Sequence, residues 1–177
     1  SVLIGRRVDA VTVLNPLPVR RHLAGPEDFA ATLAGRRFAE PRRRGKYLWL
    51  PFTDGAALLA HLGMSGQFRV DGSGAELARH SRVVFNLDDG RELRFVDQRM
   101  FGGLSLSPGG ADLPSEVAHI GRDLFDTDLD LDAVVARIRR RGSGIKRVLL
   151  DQAVTSGIGN IYADESLWRA GVHYDHP

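Results

Sequence analysis

The sequence predicts an α+β fold, in which an antiparallel β-sandwich with one inserted helix is followed by a domain made of helices. Three observations predict it. Short apolar runs recur through the first 107 residues, an Asp-Asp-Gly turn joins two of them, and helical periodicity replaces the strand pattern after "SPGGADLP" (107–114). Because proline and glycine concentrate in that stretch, the predicted domains are residues 1–110 and 111–177.

The β region contains three clear strand signals. In "VDAVTVL" (8–14) apolar and polar residues alternate, and "KYLWLPF" (46–52) is aromatic and aliphatic. In "RVVFNLDDGRELRFV" (82–96) two runs flank Asp88-Asp89-Gly90, a pattern typical of a β-hairpin.

One helix is predicted inside the β region, over "GPEDFAATLAG" (25–35). Pro26 suits the first helical position, and Gly35 lies just past the predicted end.

The second domain is predicted to contain three helices. In "DLDAVVARIRRRG" (130–142), Asp130 can cap the first helix and Gly142 can end it. The apolar face of this helix is predicted to consist of Leu131, Val134, Val135 and Ile138. The second helix is predicted to run from Ser143, as its cap, through "GIKRVLLDQ" (144–152), and the third from Asn160 to Gly171.

Composition excludes several classes of protein. The 177 residues are 43% hydrophobic, which is enough for a real core. The sequence has no cysteine, which excludes disulfides and thiolate catalysis in this chain. No run of 18 apolar residues and no signal-peptide pattern is found, so we expect a cytoplasmic protein that does not contact a membrane.

The positive charge is clustered and consists almost entirely of arginine. The formal net charge is +2, and Lys46 and Lys146 are the only lysines. Basic residues gather at 36–46 and 137–147, whereas 123–132 is acidic. Such clusters are typical of a solvated surface, but two of them in a nearly neutral chain also indicate a polyanionic partner.

The stretch "SGIGN" (156–160) lies between the second and third predicted helices. Gly157 and Gly159 permit positive φ angles and a close approach of backbone N–H groups to a ligand. Asn160 as the cap of the third helix would complete an anion site that suits a phosphate. The alternative is a helix-turn-helix corner that needs glycine for its geometry alone.

Five sequence blocks, in order, carry a resemblance to a known family. They are "RRGKYLWL" (43–50), "AHLGMSGQFRV" (60–70), "FVDQRMFGG" (95–103), "HIGRDLF" (119–125) and "IKRVLLDQAVTSGIGNIYADESLWRAGVH" (145–173). Together they span nearly the whole chain, which resembles the formamidopyrimidine-DNA glycosylase family of bacterial base-excision repair. The resemblance implies a β-sandwich followed by a helix-two-turns-helix domain.

The resemblance also implies an activity. Such an enzyme binds double-stranded damaged DNA as a monomer, flips out 8-oxoguanine or a formamidopyrimidine, cleaves the glycosidic bond and nicks the abasic site by β,δ-elimination. The expected location is the bacterial cytoplasm, in association with the nucleoid.

Individual residues acquire expected roles from the same resemblance. Met64, Arg99 and Phe101 match the trio that fills the void left by the flipped base. Lys46 matches a lysine that binds phosphate near the lesion and takes part in proton transfer. Backbone-binding positions are matched by His80, Arg99, Arg141, Lys146 and Asn160. Asp151 and Glu165 match acids that we interpret as structural.

Two features of the family have no counterpart in this sequence. The nucleophile of the family is an N-terminal proline followed by a glutamate, whereas this sequence starts "SVLIGRR". The family's C-terminal zinc finger is also not matched, so we expect no cofactor in this chain and zinc only in that finger. We therefore expect the chain alone to be inactive. The alternatives are an endonuclease VIII-like enzyme for oxidised pyrimidines and a non-catalytic, structure-specific DNA-binding protein.

Overall fold

The computed structural model describes residues 2–177 and confirms the predicted α+β class. Within these residues the strands and helices occur in the following order: β1 Val8–Val13, α1 Pro26–Leu33, β2 Arg42–Arg44, β3 Tyr47–Pro51, β4 Ala57–His61, β5 Gln67–Gly72, β6 Ser81–Leu87, β7 Arg91–Val96, β8 Gly103–Ser107, α2 Leu131–Arg139, α3 Ile145–Leu150 and α4 Asn160–Ala170.

The chain divides into two compact units. The first unit extends to Arg43 and resumes over Tyr47–Glu116. The second unit comprises Arg44–Lys46 and Val117–Pro177. No helix within residues 2–177 combines the length and apolar character needed to cross a lipid bilayer.

The strands form two four-stranded sheets, in the orders β1-β6-β7-β5 and β2-β3-β4-β8. The pairs β1–β6, β6–β7 and β5–β7 of one sheet are antiparallel, as are β3–β4 and β4–β8 of the other. One apolar core joins side chains from both sheets, among them Phe85, Phe95, Leu58 and Leu104, each at most 1% exposed. This is the predicted sandwich.

Two local predictions in this unit are confirmed. The hairpin β6–β7 pairs Phe85 with Leu93, and Gly90 supplies the left-handed backbone of its turn at φ +78°. Helix α1 begins at Pro26, and Gly35 just beyond it has φ +84°. Phe29 and Leu33 on this helix are fully buried in the core.

The first helix of the second unit differs from its predicted apolar face. Asp130 caps α2, since its carboxylate accepts from the N–H of Ala133 at 2.9 Å. Val134 is buried and Ile138 packs beside it, but Leu131 and Val135 are 59% and 38% exposed. The helix ends at Arg139, before Gly142.

The predicted cap of α3 is wrong, because Gly144 and not Ser143 precedes the helix. The N–H groups of Ile145 and Lys146 donate to the carbonyls of His176 and Tyr174, at 2.8 and 3.0 Å. A Cβ at Gly144 would lie 2.7 Å from the Asp175 carboxylate. The end of this helix is therefore satisfied by a distant segment.

The predicted cap of α4 is also wrong. Gly159 is the cap, and Asn160 is the first helical residue, with no capping bond from a side chain. The predicted end of the helix is confirmed, since Gly171 adopts the left-handed conformation at φ +64°.

Candidate nucleic-acid interface

Three side chains that the sequence predicts to act together lie together in the first unit. Arg99 directs its Nη1 at the Met64 sulfur across 3.7 Å. Met64 is 71% exposed and Phe101 is 58% exposed, and Arg99 is also exposed. Met64 and Phe101 are therefore not core residues, although methionine and phenylalanine usually are. An arginine in contact with one exposed apolar side chain, and two positions from another in the same loop, can contact both the stacked faces and the polar edges of bases.

The three side chains project from two loops whose backbones are in close contact. Met64 lies in the loop that joins β4 to β5, and Arg99 and Phe101 lie in the loop that joins β7 to β8. A Cβ at Gly63 would come within 2.9 Å of the Gly102 nitrogen and the Phe101 carbonyl carbon. Glycine at position 63 thus permits the approach of the two loops.

His80 directly precedes β6. Arg82 contacts its ring, and the Asp97 N–H donates to its carbonyl. The Arg82 Nη2 lies 3.3 Å from the His80 Nδ1, and its Nε donates to the Asp97 carbonyl at 2.9 Å. Because a guanidinium only donates, the Nδ1 of His80 accepts and its Nε2 carries the hydrogen. That hydrogen remains available for an anionic acceptor.

Lys46 belongs to the second unit, in the turn that precedes β3. Its ammonium group is exposed and pairs with no carboxylate within residues 2–177. Gly45, at φ +56°, makes this turn, and a Cβ there would lie 3.0 Å from the Cβ of Ser156. The turn therefore lies against the start of "SGIGN".

The corner "SGIGN" has one glycine that is required by geometry. Gly157 has φ +92°, and a Cβ there would lie 2.4 Å from the Asp123 Oδ2. Gly159 has φ −105°, and nothing lies within 4 Å of its would-be Cβ. The positive φ that glycine permits is thus adopted at Gly157 and not at Gly159.

The start of α4 has the properties of an anion-binding helix terminus, though without the predicted cap. The first N–H groups of a helix lack acceptors inside it and carry a partial positive charge. Asn160 lies at this end, and its side chain is exposed. It is therefore available to an external partner.

The two predicted cations beside this corner are both paired with acids of the second unit. Lys146 lies 2.7 Å from the Asp164 carboxylate, and the Arg141 Nη2 lies 3.3 Å from the Asp151 Oδ2. Asp151 also accepts from the N–H of Ala153. A pocket of about 400 Å³ lies here, lined by Arg141, Ser143, Arg147, Val148, Leu150 and Asp151.

The two acids that the sequence matches to structural roles behave differently. Asp151 holds Arg141, as described above. Glu165 is exposed on α4 and makes no such contact within the part of the chain that the structure describes.

Sequence reasoning missed Asp97, Ser65 and Arg82. Asp97 is fully buried and bonds to Ser65 and to the backbone of the loop that carries Arg99 and Phe101. The sequence does contain a signal for Asp97. It follows an apolar run and is followed by Gly102-Gly103, and aspartates in such turns often accept hydrogen bonds from backbone N–H groups. Its partner Ser65 is 32 positions away, which no local pattern reveals.

Residues 2–177 contain no group of three or more His, Cys, Asp or Glu side chains that could hold a metal ion.

Comparison with known proteins gives matches over both units. Residues 1–104 match the model of the formamidopyrimidine-DNA glycosylase N-terminal domain, and residues 120–177 match that of the formamidopyrimidine-DNA glycosylase H2TH domain. The formamidopyrimidine-DNA glycosylase of Nocardioides sp. is 61% identical over 99% of this chain and 60% of its own length. That of Nocardia farcinica is 55% identical over 96% of this chain and 62% of its own length.

Solved structures agree with the sequence matches. The Lactococcus lactis Fpg in complex with abasic-site DNA has a TM-score of 0.82 and 30% identity, covering 98% of this chain and 63% of that one. The same scores describe its complex with DNA that contains an oxidised pyrimidine, of which this chain covers 64%. This chain thus spans about three fifths of the length of the relatives it matches. On these matches, and on the fold that they share, the chain belongs to the formamidopyrimidine-DNA glycosylase family.

Proposed function

We propose that this chain recognises damaged double-stranded DNA, and that the whole protein is a bacterial base-excision glycosylase for oxidised purines. The exposed cluster of Met64, Arg99 and Phe101 carries this proposal. Exposed apolar side chains that cluster together are typical of an interaction site, and a flipped nucleotide leaves a gap of matching character.

Each member of the cluster suits part of that gap. The flexible thioether of Met64 fits an irregular space, and the Phe101 ring can wedge between base pairs. The Arg99 guanidinium has donors left over for the orphaned base, because its one side-chain contact within residues 2–177 is with a weak sulfur acceptor. The cluster can thus recover part of the stacking and pairing energy lost on flipping, which is a few kcal/mol.

Contacts with the DNA backbone are assigned to groups in both units. In the first unit, the Nε2–H of His80 is available to donate to a phosphate. In the second unit, Lys46, Arg141, Lys146 and the start of α4 at Asn160 provide positive charge and N–H donors. These contacts position the strand and carry no sequence information.

We further infer that the whole protein is bifunctional, with glycosylase and lyase steps. In the family, a proline amine attacks the deoxyribose C1′ carbon, the base leaves, and the resulting Schiff base undergoes β,δ-elimination. Lys46, exposed and unpaired within residues 2–177, is suited to a proton transfer beside a phosphate. We propose that the chain acts on the bacterial nucleoid as a monomer, and that these 177 residues alone bind DNA without cutting it.

Borohydride trapping tests the proposal for the chain alone. The 177-residue chain is incubated with an 8-oxoguanine·cytosine duplex and sodium borohydride, and covalent adducts are resolved by gel electrophoresis. We expect binding without an adduct, and an adduct would contradict the proposal that these 177 residues alone do not cut DNA. For the whole protein, faster excision of thymine glycol than of 8-oxoguanine would contradict the assignment to purines.

A further inference from the structure

A single buried carboxylate joins the two loops that carry the exposed cluster. Asp97, at the end of β7, is fully buried. Its Oδ1 accepts from the Ser65 hydroxyl at 2.5 Å, and its Oδ2 accepts from the Gly102 N–H at 2.8 Å. The Ser65 Oγ in turn accepts from the Arg99 N–H at 3.0 Å. Ser65 is the neighbour of Met64, and Gly102 is the neighbour of Phe101. The Asp97 carboxylate therefore bonds beside both residues, and it holds the Arg99 backbone through Ser65.

The loop that these bonds close is strained. Met100 has φ +55°, and it is the one non-glycine residue with positive φ within residues 2–177. A side chain in this conformation is disfavoured, and it persists only where the surrounding structure holds it. The bonds to the Arg99 and Gly102 N–H groups lie on either side of Met100. This kink separates Arg99 from Phe101 and lets both side chains project.

The side chain of Asp97 is tightly packed. A Cβ at Gly102 would lie 2.7 Å from the Asp97 Oδ2 and 2.8 Å from the Phe95 ring. The carboxylate therefore fits only because position 102 is glycine, and the loop has little room to adopt a second arrangement.

The backbone of the same residue positions His80. The Asp97 N–H donates to the His80 carbonyl at 3.0 Å. The Asp97 carbonyl accepts from the Arg82 Nε. The Nη2 of the same arginine contacts the His80 Nδ1 and so orients the His80 ring. Asp97 is thereby linked to every residue in the first unit that the proposed function assigns to DNA.

We propose that Asp97, through Ser65, is a positioning residue for reading the base opposite the lesion. Asp97 itself makes no contact with DNA; it fixes where the Arg99 guanidinium and the Met64 and Phe101 side chains meet the strand. The proposal rests on the proposed function of that cluster. A purely structural role for Asp97 is the alternative, and the two roles predict different binding behaviour.

The substitution Asp97→Asn separates the roles because it preserves shape. The amide oxygen can still accept from the Gly102 N–H, so its NH₂ group must face Ser65. The Ser65 Oγ would then accept from both this NH₂ and the Arg99 N–H, which leaves its own hydrogen without the carboxylate acceptor. The loop is expected to relax, so the backbone position from which the Arg99 side chain extends is no longer fixed.

A matched control exists in the same unit. Glu92 bonds to Arg94, a side chain only 2% exposed, at 2.7 and 2.8 Å. Arg94 also donates to the carbonyls of Ala75 and Glu76 in the loop that joins β5 to β6. That loop ends at His80, a proposed backbone contact, but it carries none of the three cluster residues that read the opposite base. Glu92→Gln therefore weakens a buried polar network of the sandwich away from the cluster.

The experiment measures dissociation constants by fluorescence anisotropy. The probes are duplexes with a tetrahydrofuran abasic analogue opposite cytosine or adenine, and an undamaged duplex. In Asp97→Asn we expect the preference for cytosine over adenine to fall about tenfold, or about 1.4 kcal/mol, with affinity for undamaged duplex within about twofold. Glu92→Gln should lose comparable stability to urea and keep the preference.

Each other outcome has a defined meaning. An unchanged preference in Asp97→Asn, or an equal loss in Glu92→Gln, overturns the positioning role. If Asp97→Asn does not fold, Ser65→Ala removes only the bridging hydroxyl and should lower the preference about threefold; an unchanged preference there also overturns it. A wild-type chain that does not distinguish the abasic analogue from undamaged duplex would instead contradict the proposed function.

Discussion

The Arg99 guanidinium lies 3.7 Å from the Met64 sulfur, although 35 positions separate the two residues in sequence. This contact brings a polar and an apolar side chain together on the surface of the first unit, next to Phe101. No acid pairs with the guanidinium, since within residues 2–177 its only side-chain partner is the Met64 sulfur. The two side chains can therefore turn toward a base while the backbone that carries them stays fixed by the bonds to Ser65 and Asp97.

Replacing Arg99 by alanine should relax discrimination of the base opposite the lesion. The guanidinium can bond a cytosine edge, and a good bidentate contact is worth about 1–3 kcal/mol of discrimination. We expect the ratio of affinities for cytosine and adenine opposite the abasic analogue to fall by about tenfold or more. Arg21→Ala removes another exposed arginine of this unit and should leave the ratio unchanged. Equal loss on damaged and undamaged duplexes would indicate a backbone contact instead.

Replacing Asp164 by asparagine should strengthen DNA binding and its dependence on salt. The substitution releases Lys146 from an ion pair of 2.7 Å. Each additional phosphate contact steepens the plot of log affinity against log salt by about one unit. The control is Glu165→Gln, because it removes a negative charge from the next position of α4 without releasing a cation. If both variants bind equally tightly, Lys146 is not a phosphate contact.

Replacing Gly157 by alanine should destabilise the second unit by about 1–3 kcal/mol. The cause is the φ of +92° together with a Cβ only 2.4 Å from the Asp123 carboxylate. Gly159→Ala, at φ −105° and in open space, should cost less than about 1 kcal/mol. Urea unfolding monitored by far-ultraviolet circular dichroism of the helices measures both. Similar midpoints for the two variants would refute this description of the corner.

The acid stability of the second unit should depend on Asp126. The Asp128 N–H and the Arg122 guanidinium lower the pKa of the Asp126 carboxyl below 3.8, its ordinary value. A lowered pKa in the folded state adds stability that is present above pH 3.8, and this stability is lost as the pH falls through the lowered pKa. Asp126→Asn should therefore reduce the slope of stability against pH below about pH 4. An unchanged slope in Asp126→Asn would contradict the assignment.

The sequence predicted the elements whose signals are local. The Asp88-Asp89-Gly90 turn specifies its hairpin within three residues, and Pro26 and Gly35 bracket α1. Asp130 caps α2 because a carboxylate there reaches an N–H only three positions away.

Predictions failed where distant segments determine the structure. Ser143 does not cap α3, because the carbonyls of Tyr174 and His176 already accept the first N–H groups of that helix. Periodicity placed Leu131 on the apolar face of α2, but it could not reveal that the neighbouring core reaches only Val134 and Ile138. The candidate cluster could be named through a family resemblance, whereas the Asp97–Ser65 bond that organises it spans 32 positions.

Lesion selectivity of binding tests the central claim most directly. This selectivity is the affinity for the abasic-analogue duplex divided by the affinity for the undamaged duplex. It is measured for the wild-type 177-residue chain and for two triple variants. One variant carries Met64→Ala, Arg99→Ala and Phe101→Ala. The other carries Arg21→Ala, Leu23→Ala and Leu77→Ala, which also removes one arginine and two exposed apolar side chains.

We predict that the wild-type chain and the second variant prefer the abasic-analogue duplex by about tenfold or more. The first variant should show a ratio near one, while its affinity for undamaged duplex stays similar to that of the wild-type chain. A first variant that keeps the wild-type ratio would contradict the claim that these three side chains occupy the place of the flipped nucleotide.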